Sequence, residues 1–163
     1  MKKALLMAMC GGLLLGCDYK VSLVETASEP IDPAVVGAWE RTSEGGSVER
    51  LLILPISEQE YLVVFPEGAS NALYARGHLW RHKDITLVQL DWFGTSRVDL
   101  PQDDRTFQYV SFSVDADTLT CRLLNPEVVD KDIRSSAALV EAIMENNDHP
   151  ELYRPSMVFQ KVD

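Results

Sequence analysis

Five polar and aromatic side chains alternate along one short segment and form the densest group of chemically capable residues in the chain. They are Tyr74, Arg76, His78, Trp80 and His82. Because they are spaced two residues apart, they would share one face of a β-strand. Imidazole rings bind metals, but His78 and His82 would lie about 13 Å apart on a strand that rises about 3.3 Å per residue. We therefore predict no metal site here. The segment is interpreted as a solvated face, or as a contact surface for a partner, because Arg, Trp and Tyr are enriched at interface centres.

Other reactive groups are sparse, and no catalytic motif occurs. A catalytic triad needs histidine, of which the chain has three, and no His or Asn lies close in sequence to Cys121. Cys121 is interpreted as a small buried apolar residue. Asp99, Asp103 and Asp104 lack the regular ligand spacing of a calcium loop. We predict a protein that is not an enzyme and holds neither metal nor cofactor.

Trp92 is a candidate ligand contact of a different kind. It shares the period-two phase of Val88 and Leu90, so we expect its side chain to point inward. An inward Trp where a strand meets a loop either packs in the core or lines a small-molecule site at a barrel mouth.

The amino terminus resembles the export signal of bacterial lipoproteins. Lys2 and Lys3 precede an uncharged, mostly apolar run over residues 4–16, which is shorter than the roughly 20 residues of a membrane span. The run ends in Leu14-Leu15-Gly16-Cys17, which is similar to a lipobox. The resemblance implies cleavage after Gly16 and acyl chains on Cys17. An ordinary secretory signal and a short buried helix are the alternatives.

Two other residues, Cys10 and Asp18, refine the choice of lipidation site and membrane. Cys10 follows Met9, whose bulk suits signal cleavage poorly, so Cys17 is the predicted lipidation site. Asp18 directly follows it and resembles the inner-membrane retention signal of enteric Gram-negative lipoproteins. The implied location is the cell membrane, with the domain facing the periplasm or the exterior.

The charge balance limits the partners. The first 16 residues hold two Lys and no acidic residue, so the formal net charge of −10 becomes −12 without them. So acidic a domain is not expected to bind nucleic acid or to adhere electrostatically to anionic lipid. Membrane attachment would then depend on the acyl chains, in which each buried methylene contributes about 0.8 kcal/mol of binding free energy.

We divide the chain into a signal peptide over residues 1–16, an acylated Cys with a flexible tether over 17–33, and a β-barrel-like domain over 34–163. From residue 36 onward, apolar residues recur with period two between turn signals, which predicts an antiparallel meander. About eight strands are predicted, over residues 37–41, 48–56, 61–65, 72–82, 85–93, 105–114, 118–124 and 157–162. One helix over 135–147 precedes the last strand. A closed barrel, a half-open barrel and a two-sheet sandwich fit this mainly β pattern.

The first strand strengthens the barrel interpretation. Gly37-Ala38-Trp39 resembles the Gly-x-Trp motif of the lipocalin-type barrels, the calycins. The resemblance implies that Gly37 and Trp39 close one barrel end and that Trp39 packs on a basic residue near the last strand, either Arg154 or Lys161. A generic sheet with a core Trp is the alternative.

These features predict a membrane-anchored, non-catalytic binding or accessory module. Its partners would be membrane lipid through Cys17 and either an apolar small molecule in the barrel or an envelope protein on its surface. The alternative is a structural or assembly component of an envelope complex, with a filled barrel. The volume of the interior distinguishes the two, because a small-molecule site needs a few hundred Å3.

Overall fold

Eight antiparallel strands close into a barrel in the computed structural model, which describes residues 18–95 and 106–162. The strands are β1 (Gly37–Thr42), β2 (Val48–Ser57), β3 (Glu60–Phe65), β4 (Leu73–His82), β5 (Ile85–Thr95), β6 (Phe107–Asp115), β7 (Thr118–Leu123) and β8 (Met157–Lys161). Each pairs with the next along the chain, and β8 pairs with β1 through Trp39–Lys161 and Glu40–Gln160. The predicted mainly β meander is confirmed, and the barrel is closed.

A single α-helix, α1 (Ser136–Glu145), precedes β8 as the sequence predicts. Ser135 caps it, since its hydroxyl accepts a hydrogen bond of 3.2 Å from the amide of Ala138. Leu139 and Ile143 lie one turn apart and are fully buried against the barrel. Within the described parts of the chain, no helix combines the length and the hydropathy that crossing a bilayer requires.

The barrel has two distinct ends. At the Trp39 end, the chain enters β1, and the turns between β2 and β3, β4 and β5, and β6 and β7 lie side by side. At the Arg41 end lie the other turns and the connection that carries α1. Inward side chains between the two ends form the first hydrophobic core, which includes Trp39, Leu79 and Phe159.

A second hydrophobic core lies outside the barrel wall. The outer faces of β5 and β6 carry Ile85, Leu87 and Tyr109, which are covered by Leu139 and Ile143 of α1. Both faces of this part of the sheet are therefore buried, which gives β5 more apolar positions than strict alternation would.

Residues 18–32, here called the N-terminal strap, lie in the region predicted to be a flexible tether. Tyr19 is only 1% exposed, and its hydroxyl donates a 3.0 Å hydrogen bond to the carbonyl of Val129. The amides of Leu23 and Val24 donate to Gln89 Oε1 at 2.7 and 2.9 Å. The barrel thus supplies a buried site for Tyr19 and an acceptor for the amides of the strap.

Cys121 is expected to be chemically silent in the folded protein. Burial raises the pKa of its thiol to about 12, while Arg41 opposes this shift. Residues 18–163 contain no other cysteine, so a disulfide-exchange reagent at pH 8 should label native protein at least 100-fold more slowly than urea-unfolded protein, because the thiolate is the nucleophile. Fast labelling of the native protein would contradict the buried position.

The same shift has a consequence for stability. The unfolded thiol loses its proton near its ordinary pKa, whereas the folded thiol keeps it up to about pH 12. Between these two values the native state binds more protons, so this group lowers the free energy of unfolding as the pH rises above about 9.

Candidate functional site

The face predicted on β4 lies on the outside of the barrel, where its five side chains have different environments. Arg76 is exposed and pairs with Glu60 at 3.0 Å, and His78 Nε2 lies 3.7 Å from the same carboxylate oxygen. Trp80 packs partly into the second core, and the ring of His82 stacks on it at 5.6 Å. Tyr74 is half-buried. The five residues therefore differ in exposure along this face.

This face also lacks a metal-binding geometry. No group of three or more His, Cys, Asp or Glu side chains suited to a metal occurs in residues 18–95 and 106–162. His78 Nδ1 is buried and has no hydrogen-bond partner among the residues that the structure describes. Burial raises the pKa of the neighbouring Asp91, and His78 opposes that shift.

Trp92 points into the barrel, as its phase with Leu90 predicts. Its indole Nε1 donates a 2.9 Å hydrogen bond to Gln108 Oε1, and both side chains are almost fully buried. This bond satisfies two polar groups that burial would otherwise penalise by about 1–3 kcal/mol. Trp92 and Gln108 therefore present apolar surface inward while their polar atoms are paired.

The barrel encloses a cavity of about 90 Å3. Its lining is aliphatic and aromatic apart from Gln108 and a few polar atoms, and it includes Leu51, Val63, Leu90, Trp92, Val110 and Phe159. Such a lining offers water few hydrogen-bond partners and favours a small apolar guest. It is smaller than the few hundred Å3 of typical drug-sized sites, so a large part of the interior is filled by side chains.

At the Trp39 end of the barrel, the indole is packed in the core. Trp39 is fully buried, its indole donates a 2.8 Å hydrogen bond to the carbonyl of Val35, and Lys161 Nζ lies 5.2 Å from its ring centroid. Gly37 has φ +137°, a backbone conformation that residues with a Cβ rarely adopt, so glycine suits this position. Of the two basic candidates, Lys161 covers Trp39, whereas Arg154 pairs with Asp18 at 3.2 Å.

The Arg41 end carries an ion pair that the sequence interpretation missed. Arg41 Nε and Nη2 each lie 2.7 Å from Glu49 Oε2, and the two side chains are 13% and 25% exposed. The guanidinium lies over the rings of Phe65 and Phe159, at 5.6 and 5.3 Å from their centroids. Its position was readable in the sequence, because Arg41 shares the inward phase of Gly37 and Trp39.

The predicted lipidation site, Cys17, lies outside the described residues, as do residues 1–16 and the loop aspartates Asp99, Asp103 and Asp104. The next residue, Asp18, is bound to the barrel: its amide donates to the carbonyl of Phe107 at 3.1 Å and its carboxylate pairs with Arg154. Burial raises the pKa of Asp18, and Arg154 opposes that shift.

No protein-family model, curated protein or solved structure matches this chain. The architecture, a closed barrel of eight antiparallel strands with Trp39 on the first, is compatible with a lipocalin-like barrel. This likeness is one of shape.

Proposed function

We propose that this protein is a non-catalytic binding module of the lipocalin-like type, which holds a small apolar molecule, or the apolar part of a larger one, inside its barrel. The observation that supports the proposal is the almost entirely apolar lining of the cavity, whose volume of about 90 Å3 restricts the guest to a small molecule or to part of a larger one. Each methylene transferred from water into such a space contributes about 0.8 kcal/mol. Because the cavity is preformed, binding adds little cost of rearrangement to this gain.

We further propose that the module is attached to the cell membrane through acyl chains on Cys17. The support is the lipobox-like sequence Leu14-Leu15-Gly16-Cys17 behind a short apolar run. In a Gram-negative cell, Asp18 would favour the inner membrane and a domain that faces the periplasm. The acidic domain itself offers no electrostatic attraction to anionic lipid.

The second candidate is a structural or assembly role in an envelope complex. It is favoured by the modest cavity volume, which leaves most of the barrel solid. Partner contacts would then lie on the outer wall, where Leu54 and Ile56 of β2 are 39% and 50% exposed. The exposed Arg76 of β4 lies on the same wall, with β3 between the two strands. This role needs no ligand in the barrel.

A pair of valines separates the two candidates. Val110 lines the cavity, whereas Val158 on β8 is 47% exposed on the outer wall. Val110→Phe should fill the cavity and abolish retention of a copurifying apolar molecule, and Val158→Phe should leave it unchanged. Native mass spectra of residues 18–163, purified from periplasm without detergent, would report the bound mass.

The spectra have two informative outcomes. An added mass in the parent protein and in Val158→Phe that is lost in Val110→Phe supports a carrier. A bare polypeptide mass under several growth conditions, unchanged by added short-chain hydrocarbons, contradicts the carrier and favours the structural role. Because overpacking a core costs about 1–3 kcal/mol, thermal unfolding of Val110→Phe should be recorded alongside.

A further inference from the structure

We infer that Arg41 is a head-group site at one end of the cavity, so that the ligand is an amphiphile with a short apolar tail and one carboxylate. The inference rests on the proposed function and names the chemical class of its ligand. The inward side of β1 carries Trp39, which is buried in the first core, and Arg41 two residues further on.

Arg41 is partly exposed and contacts residues that line the cavity. The rings beneath its guanidinium, Phe65 and Phe159, both line the cavity. Cys121 lines it too, and Arg41 opposes the rise that burial causes in the pKa of the Cys121 thiol. At 13% exposure, the Arg41 side chain is mostly desolvated yet still reached by water. A charged group in this position can bind a ligand's head while the tail occupies the apolar interior.

The guanidinium is held in place for such a contact. Two aromatic faces lie within 6 Å of Arg41 Cζ, which is the range of cation–π attraction. Arginine presents a rigid planar fork of donors that matches a carboxylate, which a lysine would not. The site therefore selects a carboxylate by shape as well as by charge.

The carboxylate of Glu49 pairs with the Arg41 guanidinium and would compete with the ligand's carboxylate for it. Both short contacts of Arg41 go to one oxygen, Glu49 Oε2, from Nε and Nη2, so the Nη1 edge is not used by this ion pair. Glu49 is a quarter exposed and lies near the start of β2, where it can turn into water. Exchange of one carboxylate for another conserves the charge balance around Arg41, which limits the energetic cost of ligand entry.

The opposite wall at the same end does not compete for the head group. Trp92 and Gln108 lie on β5 and β6, across the barrel from β1 and β2, and their indole N–H and amide oxygen are paired with each other. An amphiphile bound at Arg41 thus meets apolar surface along the rest of its length. The small volume favours a short tail.

The test compares octanoate with 1-octanol by isothermal titration calorimetry on residues 18–163, which contain every strand, the helix and both cores. The parent protein should bind octanoate about tenfold more tightly than octanol, because a charge-assisted contact is stronger than a neutral one. Arg41→Met should weaken octanoate binding about tenfold and leave octanol binding unchanged. Glu49→Gln should strengthen octanoate binding, since the competing charge is gone. Arg122→Met, on the outer side of β7, is the matched control and should change neither affinity.

The outcomes separate this inference from the proposed function. Equal affinities for octanoate and octanol, or an Arg41→Met protein that binds octanoate as well as the parent, would overturn the head-group site and leave the apolar cavity standing. Binding of neither probe would overturn both. If Arg41→Met does not fold, as judged by circular dichroism, Glu49→Gln decides: unchanged octanoate affinity overturns the inference.

Discussion

Trp39→Ala is expected to lower the free energy of unfolding by about 3–5 kcal/mol, the range for truncating a fully buried Trp. The side chain is 0% exposed, donates to the carbonyl of Val35 and is covered by Lys161. The substitution removes the plug of one barrel end and leaves the Val35 carbonyl without its indole donor. A typical domain has only about 5–15 kcal/mol of stability, so this loss is a large share of the total. Urea unfolding followed by far-ultraviolet circular dichroism measures it.

Two further variants identify the cause of that loss. Lys161→Met keeps most of the side-chain volume and removes the cation over the Trp39 ring, so it should cost less than about 1 kcal/mol. Trp39→Phe keeps an aromatic plug without the indole donor and should fall between the two. A Trp39→Ala protein within 1 kcal/mol of the parent would show that Trp39 does not close the core.

Cys17→Ala is expected to move the full-length protein from the membrane fraction to the soluble periplasmic or unprocessed pool almost completely. Two or more acyl chains, at about 0.8 kcal/mol per buried methylene, hold a protein firmly on a bilayer, and without them this acidic domain has no anchor. Membrane fractionation, with the mass of the amino-terminal peptide, measures the change. The expected peptide begins at Cys17 and carries added acyl mass.

Cys10→Ala is the matched control, because Cys10 lies in the same apolar run but follows Met9. It should fractionate with the membrane as the parent protein does. If Cys17→Ala remains membrane-bound with an unmodified amino terminus, the lipoprotein interpretation is wrong and an uncleaved apolar segment becomes the better account of attachment.

The barrel was predictable because its strands alternate and its turns are short. The β6–β7 hairpin, for example, follows from the run that ends near Val114 and resumes at Thr118, and the structure pairs Val114 with Leu119 across that turn. The helix was equally plain from its Ser135 cap and the Leu139–Ile143 stripe. Closure was predicted only beside a half-open barrel and a two-sheet sandwich, since β8 meets β1 through a few residue pairs that no local pattern specifies.

The site was less predictable because it depends on which faces are covered. The alternation on β4 drew attention to His78 and Trp80, yet these lie on the outer wall, part of which packs against α1. Tyr19 was assigned to a tether because the segment after it is rich in charges and prolines, and only the folded barrel supplies its partner, Val129. Arg41 was overlooked because a charged residue beside Trp39 suggests a solvated position, whereas the strand phase places it inward.

The binding of Asp18 and Tyr19 to the barrel changes the geometry of membrane attachment. A slack tether of 16 residues would give the domain a working radius of about 50 Å. With Asp18 fixed to Phe107 and Arg154, an acylated Cys17 would lie only one residue, about 3.8 Å between Cα atoms, from the protein body. Phe107 begins β6 at the Arg41 end. If Cys17 is acylated, this arrangement would hold the Arg41 end of the barrel next to the lipid headgroups. An amphiphile could then move directly between the membrane leaflet and the barrel.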